Sequence, residues 1–208
     1  MKEFLLVAGI HLLAVMSPGP DFAMVLRNSL VYSRRVGIFA AVGLGLGILL
    51  HVAYSLLGIG LIISQSILLF NIIKFLGAGY LIYIGLKSLF ARQQPQEESD
   101  SEQLPEKEVS SAAAIRLGFL TNALNPKATL FFLALFTQVI SPETHLVVKM
   151  LYGIEMSVAT FLWFSVVALL LTHTRVNSIF AKVKHHIEKV FGVVLIALGI
   201  KVALGAHK

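Results

Sequence analysis

The sequence predicts an all-α integral membrane protein. It would hold six transmembrane helices arranged as two inverted three-helix repeats, with helices 1 and 4 broken by proline. Three observations predict this. First, the chain is 57% hydrophobic with a mean hydropathy of +0.83, and only 13% of its residues are charged, where a soluble domain carries about 25%. Second, apolar runs of about 20 residues recur along it, the length a helix needs to cross a hydrocarbon core. Third, two of those runs are interrupted at matching places, by "SPGP" at 17–20 and by "NP" at 125–126. The 208 residues are expected to form a single membrane domain.

The spans are expected at 4–29, 37–63, 67–90, 112–138, 146–172 and 187–206. Lys2 followed by an apolar stretch resembles a signal peptide, but no small-x-small cleavage site precedes the break and more apolar segments follow. The segment therefore reads as a first spanning helix. Spans one and two are long enough to tilt or break. Span two carries "GLGLG" at 43–47. No strand precedes it and no acidic partner follows, which excludes a dinucleotide fingerprint. Gly43 and Gly47 instead make a small face for close helix approach. Between spans three and four lies "ARQQPQEESDSEQLPEKEVSS", 91–111, which holds six of the eleven acidic residues and reads as a solvated linker. It separates a first half, 1–90, from a second, 112–208.

Lysine and arginine set the orientation. Eleven fall on the side of the linker, including Arg34, Arg35 and those of "KVKHHIEK" at 182–189, and five on the other. The linker is therefore expected in the cytoplasm and both termini outside. The net charge of +6 then reports topology and contact with anionic lipid, not nucleic acid. The chain has no cysteine, which excludes disulfides and thiolate metal sites. His185 and His186 lack a third ligand at metal spacing, so no metal and no cofactor is expected.

Three spans before the linker and three after it give halves of opposite orientation. "YLIYIGLKSL" at 80–89 is similar to "VLIALGIKVA" at 194–203, and "VMSPG" at 15–19 answers "ALNPK" at 123–127. Paired breaks in inverted halves are the sequence pointer to a transporter binding site. Irregular backbone at membrane depth is tolerated only where protein covers it or water reaches it. Pro18 and Pro20 each remove a backbone donor, and Gly19 eases an unusual dihedral. The carbonyls freed near Ala14 and Met16 then need partners. The half-helices that start after the breaks offer free N–H groups and a positive dipole end to a carboxylate. Asn125 is expected to cap the second half-helix, and Lys127 beside Pro126 adds a positive charge.

Asp21 is the most expensive residue to place, because a carboxylate at the bilayer midplane costs about 3 kcal/mol unless paired or hydrated. Three roles fit it: binding a substrate ammonium with Ser17 on the same face, carrying a proton, or a salt bridge to Lys127. Glu155 in span five and His51 in span two are the other candidates for proton coupling. His11 is similar to His51 and less central. Asn122 and Asn125 can hydrogen-bond a substrate or a neighbouring helix. Ser17, His51 and Asp21 supply the residue types of a nucleophilic triad. No GxSxG elbow is present, and a serine before proline is poorly set as a nucleophile, so no enzyme is expected. No phosphate-binding loop appears either, which leaves an ion gradient as the energy source.

Taken together, "MSPGPDF" in the first span, the glycine-rich second span and "LTNALNPKATLFF" in the fourth resemble the LysE/RhtB family of bacterial amino-acid exporters. So do six spans in about 200 residues with a linker after the third, and the resemblance covers essentially the whole chain. An aspartate directly after "SPGP" is closest to the threonine/homoserine exporters. The resemblance implies a secondary transporter that exports a small amino acid, threonine- or homoserine-like or another neutral or basic one, by proton antiport. It carries over a substrate site at Ser17, Pro18, Gly19, Pro20, Asp21, Asn125, Pro126 and Lys127. The partners expected are the amino acid, protons and the lipid bilayer, and the small-residue faces permit a homodimer. The competing readings are a transporter of another small metabolite and a membrane scaffold or signalling protein.

Overall fold

The computed structural model describes residues 2–65, 67–90, 109–141, 143–170, 172 and 174–204. The acidic part of the linker, 91–108, lies outside the described residues. Among those described there are eight helices and no strand: α1 Lys2–Met16, α2 Pro20–Val31, α3 Arg34–Gln65, α4 Ile67–Leu89, α5 Ser111–Ala123, α6 Pro126–Gln138, α7 Leu146–Leu170 and α8 Thr174–Leu204.

Both prolines that open a half-helix sit in its first turn, where the missing N–H is not needed. α1 and α2 meet at 54° across 17–19, and α5 and α6 at 59° across 124–125. Two stretches, Arg34–Gly58 of α3 and Leu146–Leu170 of α7, are each long and apolar enough to cross a membrane, and the count reaches four if each bent pair is one span. α7 turns Val147, Leu151, Ile154, Val158, Leu162, Val166 and Leu169 outward. That stripe suits hydrocarbon and not water.

The structure moves two predicted boundaries. The last helix starts at Thr174, not at 187. Its first turns place Val176, Ile179, Phe180, Val183 and Ile187 at helical spacing among charged residues, so an amphipathic helix forms where no apolar run exists. At 31 residues it is about 46 Å long, more than a hydrocarbon core needs. The second correction is the register between the breaks. α2 begins at Pro20 and α6 at Pro126, so the corresponding residues are Pro20 with Pro126 and Asp21 with Lys127, two positions on from the correspondence predicted.

Glycine allows the closest helix contacts. A Cβ on Gly118 would collide with the Ala40 carbonyl, and one on Gly43 with the backbone of Ile115 and Phe119, so α3 and α5 touch backbone to backbone. Gly85 and Gly192 do the same between α4 and α8. The apolar side chains gather in three clusters. One joins α1, α3, α6 and α7 around Phe131, Phe132 and Met156. A second joins α2, α3 and α7 around Leu44 and Phe164. The third seats Phe191 and Leu195 of α8 against Leu81 and Ala134.

Candidate functional site

The two breaks face one another, and each grips the other's first turn. Asp21, in the first turn of α2, accepts hydrogen bonds from Asn122 Nδ2 at 2.8 Å and Asn125 Nδ2 at 3.1 Å. Lys127, in the first turn of α6, donates from Nζ to Ser17 Oγ at 3.1 Å and to the Ser17 carbonyl at 3.3 Å. Its ammonium also lies 5.1 Å from the centre of the Phe191 ring, a cation–π contact. Asn125 is the predicted cap, and its Oδ1 accepts from the Lys127 backbone N–H at 3.0 Å. One side chain thus starts α6 and holds Asp21. The amide of Asn122 fits because Gly47 leaves the space that a Cβ would fill.

Asp21 and Lys127 are held by neutral groups, and among the described residues no ion pair joins them. The salt-bridge role weighed for Asp21 is not the one it plays here. A carboxylate anchored by amides and an ammonium anchored by a hydroxyl and a carbonyl each keep charge free for a ligand. Both line a cavity of about 50 Å³, with Ser17, Gly19, Asn122 and Asn125 at its polar end and Phe131, Phe132 and Phe164 along its apolar wall. Pro18, Pro20 and Pro126 shape the backbone around it.

His51 is fully buried and stacks on Phe132 at 5.4 Å with the rings 7° from parallel. Its Nε2 is 3.0 Å from the Asn122 carbonyl and its Nδ1 2.6 Å from the Tyr54 hydroxyl. That hydroxyl also reaches the Thr129 carbonyl, at 3.4 Å. Asp21, Asn122, His51 and Tyr54 form one connected chain. Tyr54 has a single hydroxyl proton, so it can give it to a neutral imidazole or to Thr129, but not to both. When both ring nitrogens carry protons, Tyr54 must accept from His51 and donate to Thr129.

Glu155 is not part of this site. It stands about 14 Å into α7 by helical rise, toward mid-helix. Its Oε2 is buried with no partner among the described residues. Two polar groups, Thr160 on the cavity and Tyr54 against His51, were not singled out in the sequence. Thr160 of α7 bonds His11 of α1, and its one readable signal is to be a hydroxyl inside the apolar run "VATFLWF". Tyr54 was legible only as the residue one turn after His51.

Comparison with known proteins places the chain in a family. The family model described as LysE type translocator matches residues 12–206. An uncharacterized membrane protein, YrhP of Bacillus subtilis, is 31% identical over 98% of this chain and 100% of its own. The threonine efflux protein of Escherichia coli K12 is 30% identical over 95% of both chains. The leucine efflux protein of Salmonella choleraesuis is 35% identical over 61% of this chain and 58% of its own. No solved structure matches.

Proposed function

Because the chain belongs to the LysE type translocator family, we propose that this multi-pass membrane protein exports a small amino acid across the bacterial inner membrane by proton antiport. The observation that carries the proposal is the pair of opposite charges, Asp21 and Lys127, presented to one cavity from the first turns of two broken helices. A zwitterion needs an anion for its ammonium and a cation for its carboxylate. Asp21 supplies the first, aided by Ser17. Lys127, with the N–H groups at the start of α2, supplies the second.

Two inverted three-span halves are the arrangement that would supply the alternation this requires. α3 packs on α7 through Gly45 with Ser157 and Val52 with Gly153, and α4 packs on α8 through Gly85 with Gly192 and Ala78 with Gly199. Both pairs run antiparallel, as equivalent helices of inverted repeats must. The excess of lysine and arginine near the linker supports termini outside and a cytoplasmic linker.

Proton coupling follows from the amide grip on Asp21. Both of its oxygens accept. A proton arriving from outside turns one of them into a donor facing an amide N–H, which removes a hydrogen bond that joins the halves and discharges the substrate ammonium together. His51 holds the main-chain carbonyl of Asn122, the residue whose side-chain amide grips Asp21, so it positions that grip. Glu155, a mid-helix carboxyl without a partner among the described residues, is the second carrier.

Efflux from cells loaded with one amino acid at a time, by feeding dipeptides, tests the proposal. Faster release of a few related amino acids, lost in Asp21→Asn and Lys127→Ala at equal membrane levels, is the expected result. Unchanged release across the panel would reject amino-acid export.

A further inference from the structure

The cavity has a second polar end that the charged pair does not use. His11 of α1 and Thr160 of α7 are both almost completely buried and both line it. Thr160 Oγ1 is 3.3 Å from His11 Nε2. Nδ1 of the same ring is buried with no partner among the described residues. Around the imidazole stand Phe131 and Phe132, with ring centres 6.4 Å and 6.0 Å away, and neither offers a strong acceptor or a donor. A buried ring nitrogen without a partner is a standing cost. His11 lies six residues before Ser17 on α1, about 9 Å along the helix, so this pair is set back from the charges.

We infer that His11 and Thr160 form the side-chain subsite of the substrate and select a short hydroxylated side chain over an isosteric aliphatic one; this rests on the amino-acid reading of the same cavity. The Thr160 hydroxyl on Nε2 holds one tautomer of His11, and a substrate hydroxyl then pairs with the Nδ1 of that tautomer. A methyl in its place leaves the nitrogen unpaired. Sites built to bond a substrate hydroxyl reject the analogue that lacks it far more strongly than an apolar pocket rejects one extra methylene.

Threonine and valine are the test pair, because they differ only by hydroxyl against methyl. The full chain in proteoliposomes under an imposed pH gradient gives initial rates for each. Wild type is expected to favour threonine in kcat/KM by about tenfold or more. Thr160→Val, which keeps the shape, is expected to lose most of that preference by losing threonine transport while valine transport stays. Thr160→Ser, which keeps the hydroxyl, is expected to retain it. A preference unchanged in Thr160→Val, or threonine and valine rates that fall together in Thr160→Val and Thr160→Ser alike, would overturn the subsite and leave amino-acid transport standing. A wild type that moves neither these nor any other amino acid would overturn both readings.

Discussion

The two helix breaks use one backbone device and opposite chemistry. In the first, Gly19 is an extended N-cap with no side-chain hydrogen bond, and an acid follows proline in the first turn. In the second, Asn125 caps through its side chain, and a base follows proline. An acid is favoured at the positive end of a helix, by about 0.3–1 kcal/mol, and a base is disfavoured there. Asp21 therefore suits its helix, whereas Lys127 works against its own. Nothing local explains a lysine at that place. What offsets it comes from elsewhere in the fold: the Ser17 carbonyl and hydroxyl in the first half, and the Phe191 ring of α8.

That contrast can be broken at each residue. The largest effect is expected from Asp21→Asn. It removes the substrate anion and should lower transport by about 30-fold or more, the equivalent of about 2 kcal/mol for one partner of a buried charged contact. Its amide presents a donor to one of the two asparagine N–H groups, so the protein should still fold but with a thermal midpoint lowered by the loss of one buried hydrogen bond, about 1–3 kcal/mol. Lys127→Met should abolish transport equally and yet leave stability unchanged or slightly raised, because the charge it removes opposes the α6 dipole. A clear loss of thermal stability in Lys127→Met, measured on purified protein, would mean that the lysine is structural. Asn125→Ala is next: it loses the cap and one donor to Asp21, and should cost about 1–3 kcal/mol of stability. Gly19→Ala is smallest. The backbone there is extended, and a Cβ would meet only Lys127, at 3.6 Å. Its change should stay within about 0.5 kcal/mol. If Gly19→Ala proved as damaging as Asn125→Ala, the two breaks would not differ in the way described.

Much of this was legible in the sequence. Apolar runs marked the helices because hydrocarbon leaves few alternatives to a continuous span. Proline marked the breaks, and Asn125 was readable as a cap because its side chain, its proline and the helix start are neighbours in sequence. Three things were not legible. The first half of α8 is polar enough to hide from a search for apolar runs, although its five apolar residues keep helical spacing. The register between the breaks could not be fixed because "SPGP" holds two prolines and only one of them opens the helix. The grips of Asp21 on Asn122 and of Lys127 on Ser17 join residues about a hundred positions apart, and sequence spacing carries no trace of them. Thr160 escaped for the same reason: its partner, His11, lies on another helix.

The central claim is that Asp21 and Lys127 hold opposite ends of one zwitterion, and ligand binding tests it most directly. The affinities of purified wild type, Asp21→Asn and Lys127→Ala would be measured for threonine, for its carboxamide, and for the hydroxy acid that lacks the amine. Wild type should prefer threonine over both analogues by about tenfold or more. Asp21→Asn should lose only the discrimination against the ligand without an amine, and Lys127→Ala only that against the carboxamide. Variants that weaken all three ligands by the same factor would contradict the account, because neither charge would then be reading its own end of the substrate.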